Sequence, residues 1–98
     1  MTRDDAIAAL KALEPEARAL GVTSLYLFGS TARGEAGPES DVDVFIEADL
    51  DHGFSALELV GVGHLIKDRT GLEADIGTRS GLHPCFRREI EAEAVRVF

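Results

Sequence analysis

The chain has few of the residues that build cross-linked or membrane-embedded structures. Its single cysteine, Cys85, excludes an internal disulfide. No apolar run approaches the roughly 20 residues that a membrane-spanning helix needs. The first residues pass directly into an amphipathic pattern and lack the apolar stretch of a signal peptide. Together these absences predict a cytoplasmic protein in a reducing compartment.

Positive charge is also scarce. The chain has ten Lys and Arg residues and 18 Asp and Glu residues, which gives a net charge of −8. Because Lys and Arg hold nucleic-acid backbones, we expect no direct binding of nucleic acid. The acidity fits a site that collects divalent cations or a surface for a basic protein partner. Simple solubility is the alternative explanation.

What is present suits a small globular domain. The 98 residues are 45% hydrophobic and 29% charged, and they contain no repeats or low-complexity tracts. This length predicts one domain over residues 1–98 with a modest core.

The N-terminal residues predict a helix. Thr2 is a suitable N-cap, acidic residues follow it in the first turn, and Gly21 stops the helix. Pro15 either kinks this helix or starts a second short one.

Two further helices are expected. Residues 55–69 form one of them, although its interior glycines weaken the prediction. Its expected inner-face residues are Leu57, Val60 and either His64 or Leu65. Residues 83–94 form the last helix, in which Pro84 suits the first turn. Its apolar positions are Phe86, Ile90 and Ala94.

Three segments predict strands. Residues 22–28 are rich in β-branched and aromatic types. Residues 41–47 alternate acidic and apolar types, which directs Val42, Val44 and Ile46 into the core. Residues 72–77 alternate in the same way, with an end that Gly77 and Thr78 are expected to fray. Residues 95–98 form a short strand or a packed tail. The order α-β-β-α-β-α predicts an α/β fold, a sheet covered by helices.

The pair Asp41 and Asp43 is the strongest chemical signal. Residues two apart on a strand project to the same face, so the two carboxylates could share one or two cations. Alone, such a pair is more often a solvated strand face.

Asp75 lies on the third predicted strand. If that strand pairs beside the Asp43 strand, its carboxylate reaches the same metals and is the natural base for an incoming hydroxyl. Glu73 is a competitor that the spacing does not exclude, and a solvent-facing acid is the alternative for either residue.

Gly29 and Ser30 follow the first strand. The glycine allows a sharp turn and close approach to a ligand, and the hydroxyl and nearby amides could donate to phosphate oxygens. An ordinary strand-ending turn is the alternative. Arg33 could hold a triphosphate, or it could be a solvated loop residue.

The remaining candidates for chemistry do not cluster. His52, His64 and His83 have no metal-ligand spacing with Cys85, so they are expected to be structural or surface residues. Cys85 is expected to be a packing residue.

The segments 28–36 and 40–44 together resemble the core motif of the DNA polymerase β nucleotidyltransferase superfamily. More narrowly, they resemble the minimal nucleotidyltransferases, called MNT or MntA-like. That pattern is Gly-Ser, ten residues, then Asp-x-Asp, and here residues 31–40 separate Gly29-Ser30 from Asp41-Val42-Asp43. The resemblance extends through 72–76 and the last helix, over nearly the whole chain.

The resemblance implies a small mixed β-sheet covered by helices and a two-Mg²⁺ site on Asp41, Asp43 and Asp75. It also implies that Gly29 and Ser30 hold the phosphates of ATP, assisted by Arg33. The implied reaction is attack on the α-phosphorus, with pyrophosphate leaving.

A 98-residue core lacks the extra domain that larger relatives use to hold acceptors. We therefore expect a partner chain or a second copy of this chain to hold the acceptor, so a homodimer is one option. Minimal nucleotidyltransferases are typically antitoxins of helical HEPN proteins, which implies transfer of AMP to a tyrosine of a HEPN ribonuclease toxin. The alternatives are an antitoxin that acts by binding alone and a small-molecule nucleotidyltransferase of the aminoglycoside-modifying type.

Overall fold

A computed structural model describes residues 2–34, 41–49, 53–81 and 84–98, without the side chains of Ser30 and Ser80. Residues 35–40 and the two histidines His52 and His83 lie outside the described residues.

The residues that the structure describes form five α-helices. Their bounds are α1 Arg3–Lys11, α2 Glu14–Ala19, α3 Gly29–Ala32, α4 Ala56–Thr70 and α5 Pro84–Glu93. Thr2 caps α1 and Ser55 caps α4, each in a reciprocal capping box with an acidic side chain three residues later. Pro15 lies in the first turn of α2, so of the two expectations for this segment the second helix is confirmed.

Four strands within the described part of the chain form one mixed sheet. Their bounds are β1 Val22–Phe28, β2 Val42–Ala48, β3 Ala74–Thr78 and β4 Val95–Arg96. The spatial order is β3-β2-β1-β4, in which β2 and β3 run parallel and the other pairs run antiparallel. The predicted fold class is thereby confirmed, and the C-terminal residues form the expected short strand.

The core lies between one face of the sheet and the helices α1, α2 and α4. The inward residues predicted for β2 are all buried, with Val42, Val44 and Ile46 at most 2% exposed. From the helices come Ala6, Leu10, Ala17, Val62 and Ile66. Within the described residues, no helix is both long and apolar enough to cross a membrane.

The predicted inner face of α4 is wrong at two positions, since Leu57 is 76% exposed and Val60 is 56% exposed. Of the two alternatives for the third position, Leu65 packs partly against the core and His64 is exposed. Val62 and Ile66 are the buried residues instead. This helix carries two apolar stripes, and only the tertiary contacts select the one that faces the sheet.

Three smaller expectations also need correction. Phe45 is buried although the alternation placed it outward, because it stacks on Tyr26, with ring centroids 4.8 Å apart. The end of β3 is not frayed, since Gly77 and Thr78 pair with Phe45 and Ile46. Cys85 is exposed rather than packed, and α5 buries none of its residues.

Candidate active site

The parallel pairing of β2 and β3 places Asp43 directly beside Asp75. Register neighbours on parallel strands project to the same face of the sheet, so their carboxylates face each other's charge. Burial raises the pKa of Asp43, and the negative charges of Asp75 and Asp41 raise it further. Asp41 is exposed and immediately precedes β2. Asp41 and Asp75 therefore both lie within electrostatic reach of Asp43.

Glu73, the competitor for the third position, is held elsewhere. Its carboxylate forms an ion pair with Lys67 of α4 at 2.6 Å. Its backbone carbonyl accepts a hydrogen bond from the amide of Val42, which starts the pairing of β2 with β3. The geometry therefore brings Asp75 beside Asp43 and leaves Glu73 at the helix.

Gly29 allows the turn after β1 to pass against Asp43. Its φ is +75°, a left-handed conformation that side chains with a Cβ rarely adopt. A Cβ on this residue would lie 3.1 Å from Cγ and 3.2 Å from Cβ of Asp43. The close approach expected for this glycine is therefore an approach to the carboxylate itself. Ser30 follows in α3, and its side chain lies outside the description.

Arg33 is the C-cap of α3 and contacts Glu93, a residue that was not among the predicted site residues. Its Nη1 donates to Glu93 Oε2 at 3.0 Å, and the amide of Gly29 donates to Glu93 Oε1 at 3.1 Å. The charges of Arg33 and Glu93 also act on the pKa of Asp43, the first lowering it and the second raising it. Glu93 is therefore part of the same site.

One sequence signal could have revealed Glu93. A carboxylate in the last turn of a helix is disfavoured by the negative end of the helix dipole, so its presence there suggests another role. Of the other reactive candidates, the structure describes two: His64 lies exposed on α4, and Cys85 lies exposed at the start of α5.

The carboxylates suit a hard cation by their chemistry. In the residues that the structure describes, no three His, Cys, Asp or Glu side chains already converge into a cation site. The donors beside Asp43 are nonetheless carboxylate oxygens, which Mg²⁺ prefers. A divalent cation would neutralise the repulsion that Asp75 and Asp41 exert on Asp43. The residues present therefore fit Mg²⁺.

Comparison with known proteins shows the family to which this fold belongs. The nucleotidyltransferase domain family matches residues 7–97. A protein adenylyltransferase homologue of Methanocaldococcus jannaschii (strain ATCC 43067 / DSM 2661 / JAL-1 / JCM 10045 / NBRC 100440) is 36% identical over 77 residues, which cover 79% of this chain and 81% of the relative.

Two solved structures share the fold. One is a minimal nucleotidyltransferase with a TM-score of 0.82 and 27% identity, covering 97% of this chain and 95% of that one. The other is a toxin–antitoxin structure with AMP-PNP, with a TM-score of 0.71 and 14% identity, covering 90% of this chain and 72% of that one. The motif-based resemblance is thus confirmed, and the chain belongs to the nucleotidyltransferase domain family.

Proposed function

We propose that this nucleotidyltransferase is an antitoxin that transfers AMP from ATP, with Mg²⁺, to a tyrosine hydroxyl of a HEPN ribonuclease toxin. One observation carries the proposal: Asp43 lies beside Asp75 on one side and against the Gly29 turn on the other. Carboxylates that can hold divalent cations, next to a glycine turn that allows close approach of a ligand, suit the transfer of a nucleotidyl group.

In the proposed reaction, the tyrosine oxygen attacks the α-phosphorus of ATP. A new P–O bond forms, the bond to the bridging oxygen breaks, and pyrophosphate leaves. Asp75 is the proposed acceptor of the hydroxyl proton. Asp41 and Asp43, with Asp75, would hold two Mg²⁺ ions, which when bound neutralise charge on the attacking and leaving oxygens.

The turn after β1 is proposed to hold the rest of the nucleotide. The turn at Gly29 and Ser30 would hold the β- and γ-phosphates, with Gly29 allowing close approach of the backbone, while its own amide donates to Glu93, and with the Arg33 guanidinium as a further donor. Arg33 lies within electrostatic reach of Asp43, which supports a shared site for the triphosphate and the carboxylates.

The partner is inferred from charge and from a distant relative. A net charge of −8 suits a basic partner, and a protein that cuts RNA needs a basic surface. One solved structure of the same fold is a toxin–antitoxin structure with AMP-PNP. The same acidity also favours a second candidate, an antitoxin that neutralises the toxin by covering it.

Incubation with the toxin, ATP and Mg²⁺, followed by intact-protein mass spectrometry of the toxin, tests the proposal. We expect the toxin to gain one or more AMP units, located on tyrosine by fragmentation. Asp41→Ala and Asp43→Asn should abolish this gain. Asp68→Asn, an exposed acid on α4, is the matched control and should retain it.

The ribonuclease activity of the toxin separates the two candidates. If the Asp43→Asn protein still neutralises the toxin without adding AMP, the binding antitoxin is supported. If a mixture with the wild-type protein leaves the toxin unmodified and active, the HEPN partner is wrong, and an aminoglycoside-type acceptor becomes the next one to assay.

A further inference from the structure

Glu93 joins the two ends of the turn that follows β1. One carboxylate oxygen accepts from the amide of Gly29 at 3.1 Å, and the other accepts from Nη1 of Arg33 at 3.0 Å. The amide of Arg33 in turn donates to the carbonyl of Gly29 at 3.2 Å. These three hydrogen bonds link Glu93, Gly29 and Arg33 at the two ends of the four-residue helix α3. We call this set of bonds the Glu93 clamp.

The position of Glu93 does not stabilise α5, the helix to which it belongs. Glu93 is the last residue of α5, where the negative end of the helix dipole disfavours an anion. The guanidinium and the backbone amide offset that cost, because bonds between charged partners are stronger than neutral ones. The acid is therefore better explained by what it holds than by the helix it ends.

Both sides of the clamp are attached to the sheet. Two residues after Glu93, Val95 pairs with Leu27 of β1, which lies two residues before Gly29. The carboxylate is thus fixed relative to the turn by the β1–β4 pairing. A side chain anchored in this way holds the Arg33 guanidinium in one direction at little further entropic cost.

We propose that Glu93 is a positioning residue of the nucleotide site, which orients Arg33 and fixes the Gly29 turn for the triphosphate. This inference rests on the proposed function of the turn and extends it to the C-terminal helix. A guanidinium has five N–H donors, so a single arginine side chain can in principle bind both a carboxylate and a phosphate. Glu93 acts through Arg33 and need not touch the nucleotide.

Calorimetric titration with MgATP tests the clamp. Glu93→Gln keeps an acceptor for the Gly29 amide but loses the charge that holds Arg33, and we expect it to raise the Kd about tenfold. Glu93→Ala loses both contacts and should raise the Kd further. Glu89→Gln, an exposed acid on the same helix, is the control and should change the Kd less than about twofold.

A double-mutant cycle separates positioning from a general effect on the fold. Arg33→Ala should weaken MgATP binding by itself, and Glu93→Gln added to it should then cost less than about twofold, since the side chain that it orients is gone. Additive effects of the two substitutions would contradict the proposal.

The remaining outcomes are equally distinct. If Glu93 only adds negative charge, Glu93→Gln will bind MgATP more tightly, which overturns the proposal. If Glu93 only supports the fold, its variants will melt earlier but bind MgATP with unchanged Kd while folded, which also overturns it. Failure of the wild-type protein to bind MgATP would contradict the proposed function itself.

Discussion

Gly29 meets two separate constraints at one residue. Its φ of +75° favours glycine, and the space that a Cβ would need is occupied by Asp43. Gly71, the cap of α4, has the same φ of +75° but has nothing within 4 Å of such a Cβ. A comparison of substitutions at these two glycines therefore distinguishes the cost of backbone strain from the cost of crowding against Asp43.

We expect Gly71→Ala to lower the free energy of unfolding by about 1–2 kcal/mol, the cost of a left-handed alanine. Gly29→Ala should cost at least about 1 kcal/mol more, because the added methyl group displaces the Asp43 carboxylate. Urea denaturation of both variants measures the difference. Equal losses would mean that Asp43 moves aside freely and that the site is less rigid than its contacts indicate.

Asp43 itself lowers the stability of the metal-free protein at neutral pH. Its pKa in the folded state is raised above the ordinary value of 3.8 by burial and by Asp75 and Asp41. The folded state therefore binds this proton more tightly than the unfolded state. Stability consequently falls as pH rises from 3.8 through the raised pKa, and it stays reduced above that pKa.

Asp43→Asn should therefore melt a few degrees higher than the wild type at pH 7 in EDTA, while losing all nucleotidyl transfer. Below pH 3.8 the wild-type side chain is neutral in both states, and the two melting temperatures should converge. Calorimetry across this pH range makes the measurement. A variant that melts lower at pH 7, or a difference independent of pH, would contradict the assigned repulsion.

Part of the site was predictable because its residues are close in sequence or lie on strands. The alternation of β2 fixed the side of Asp43, and the glycine after β1 marked the turn. Glu93 was not predictable in this way, since 64 residues separate it from Gly29. Only the pairing of β4 with β1 brings it to the turn.

At the scale of the elements, strands were predicted better than helix faces. The bounds predicted for β1 are those observed, because β-branched and aromatic residues lie between two glycines there. The inner face of α4 was wrong because both of its stripes have helical spacing. Gly63 lies close to Ile76 of β3, since a Cβ on Gly63 would lie 3.6 Å from Cγ2 of Ile76. The face of α4 that carries Gly63 therefore packs against the sheet, and Leu57 lies on the exposed face.

This orientation of α4 predicts unequal costs for two similar substitutions. Ile66→Ala removes a fully buried side chain and should lower the free energy of unfolding by about 2–5 kcal/mol. Leu57→Ala removes a largely exposed one and should stay within about 0.5 kcal/mol. Chemical denaturation of both variants measures these losses. A larger loss for Leu57→Ala than for Ile66→Ala would support the inner face predicted from spacing.

For the molecule as a whole, small size and strong net charge make stability sensitive to bound cations. A domain of 98 residues buries only about two-thirds of its unfolded surface, so its stability margin is small. The net charge of −8 adds self-repulsion, which any salt screens. A specific effect of Mg²⁺ must therefore be measured against a salt that only screens.

We expect Mg²⁺ at a hundredfold excess over its Kd to stabilise the wild type by about 2.7 kcal/mol, a rise in melting temperature on the order of 10 °C. NaCl at matched ionic strength should give only a small part of this rise, because it screens the net charge without binding between Asp43 and Asp75. Asp43→Asn should lose the difference between the two salts, and Asp68→Asn should keep it. If NaCl stabilises the wild type as much as Mg²⁺ does, the acidity of the chain serves solubility or partner binding, and the carboxylates beside the Gly29 turn do not form a cation site on their own.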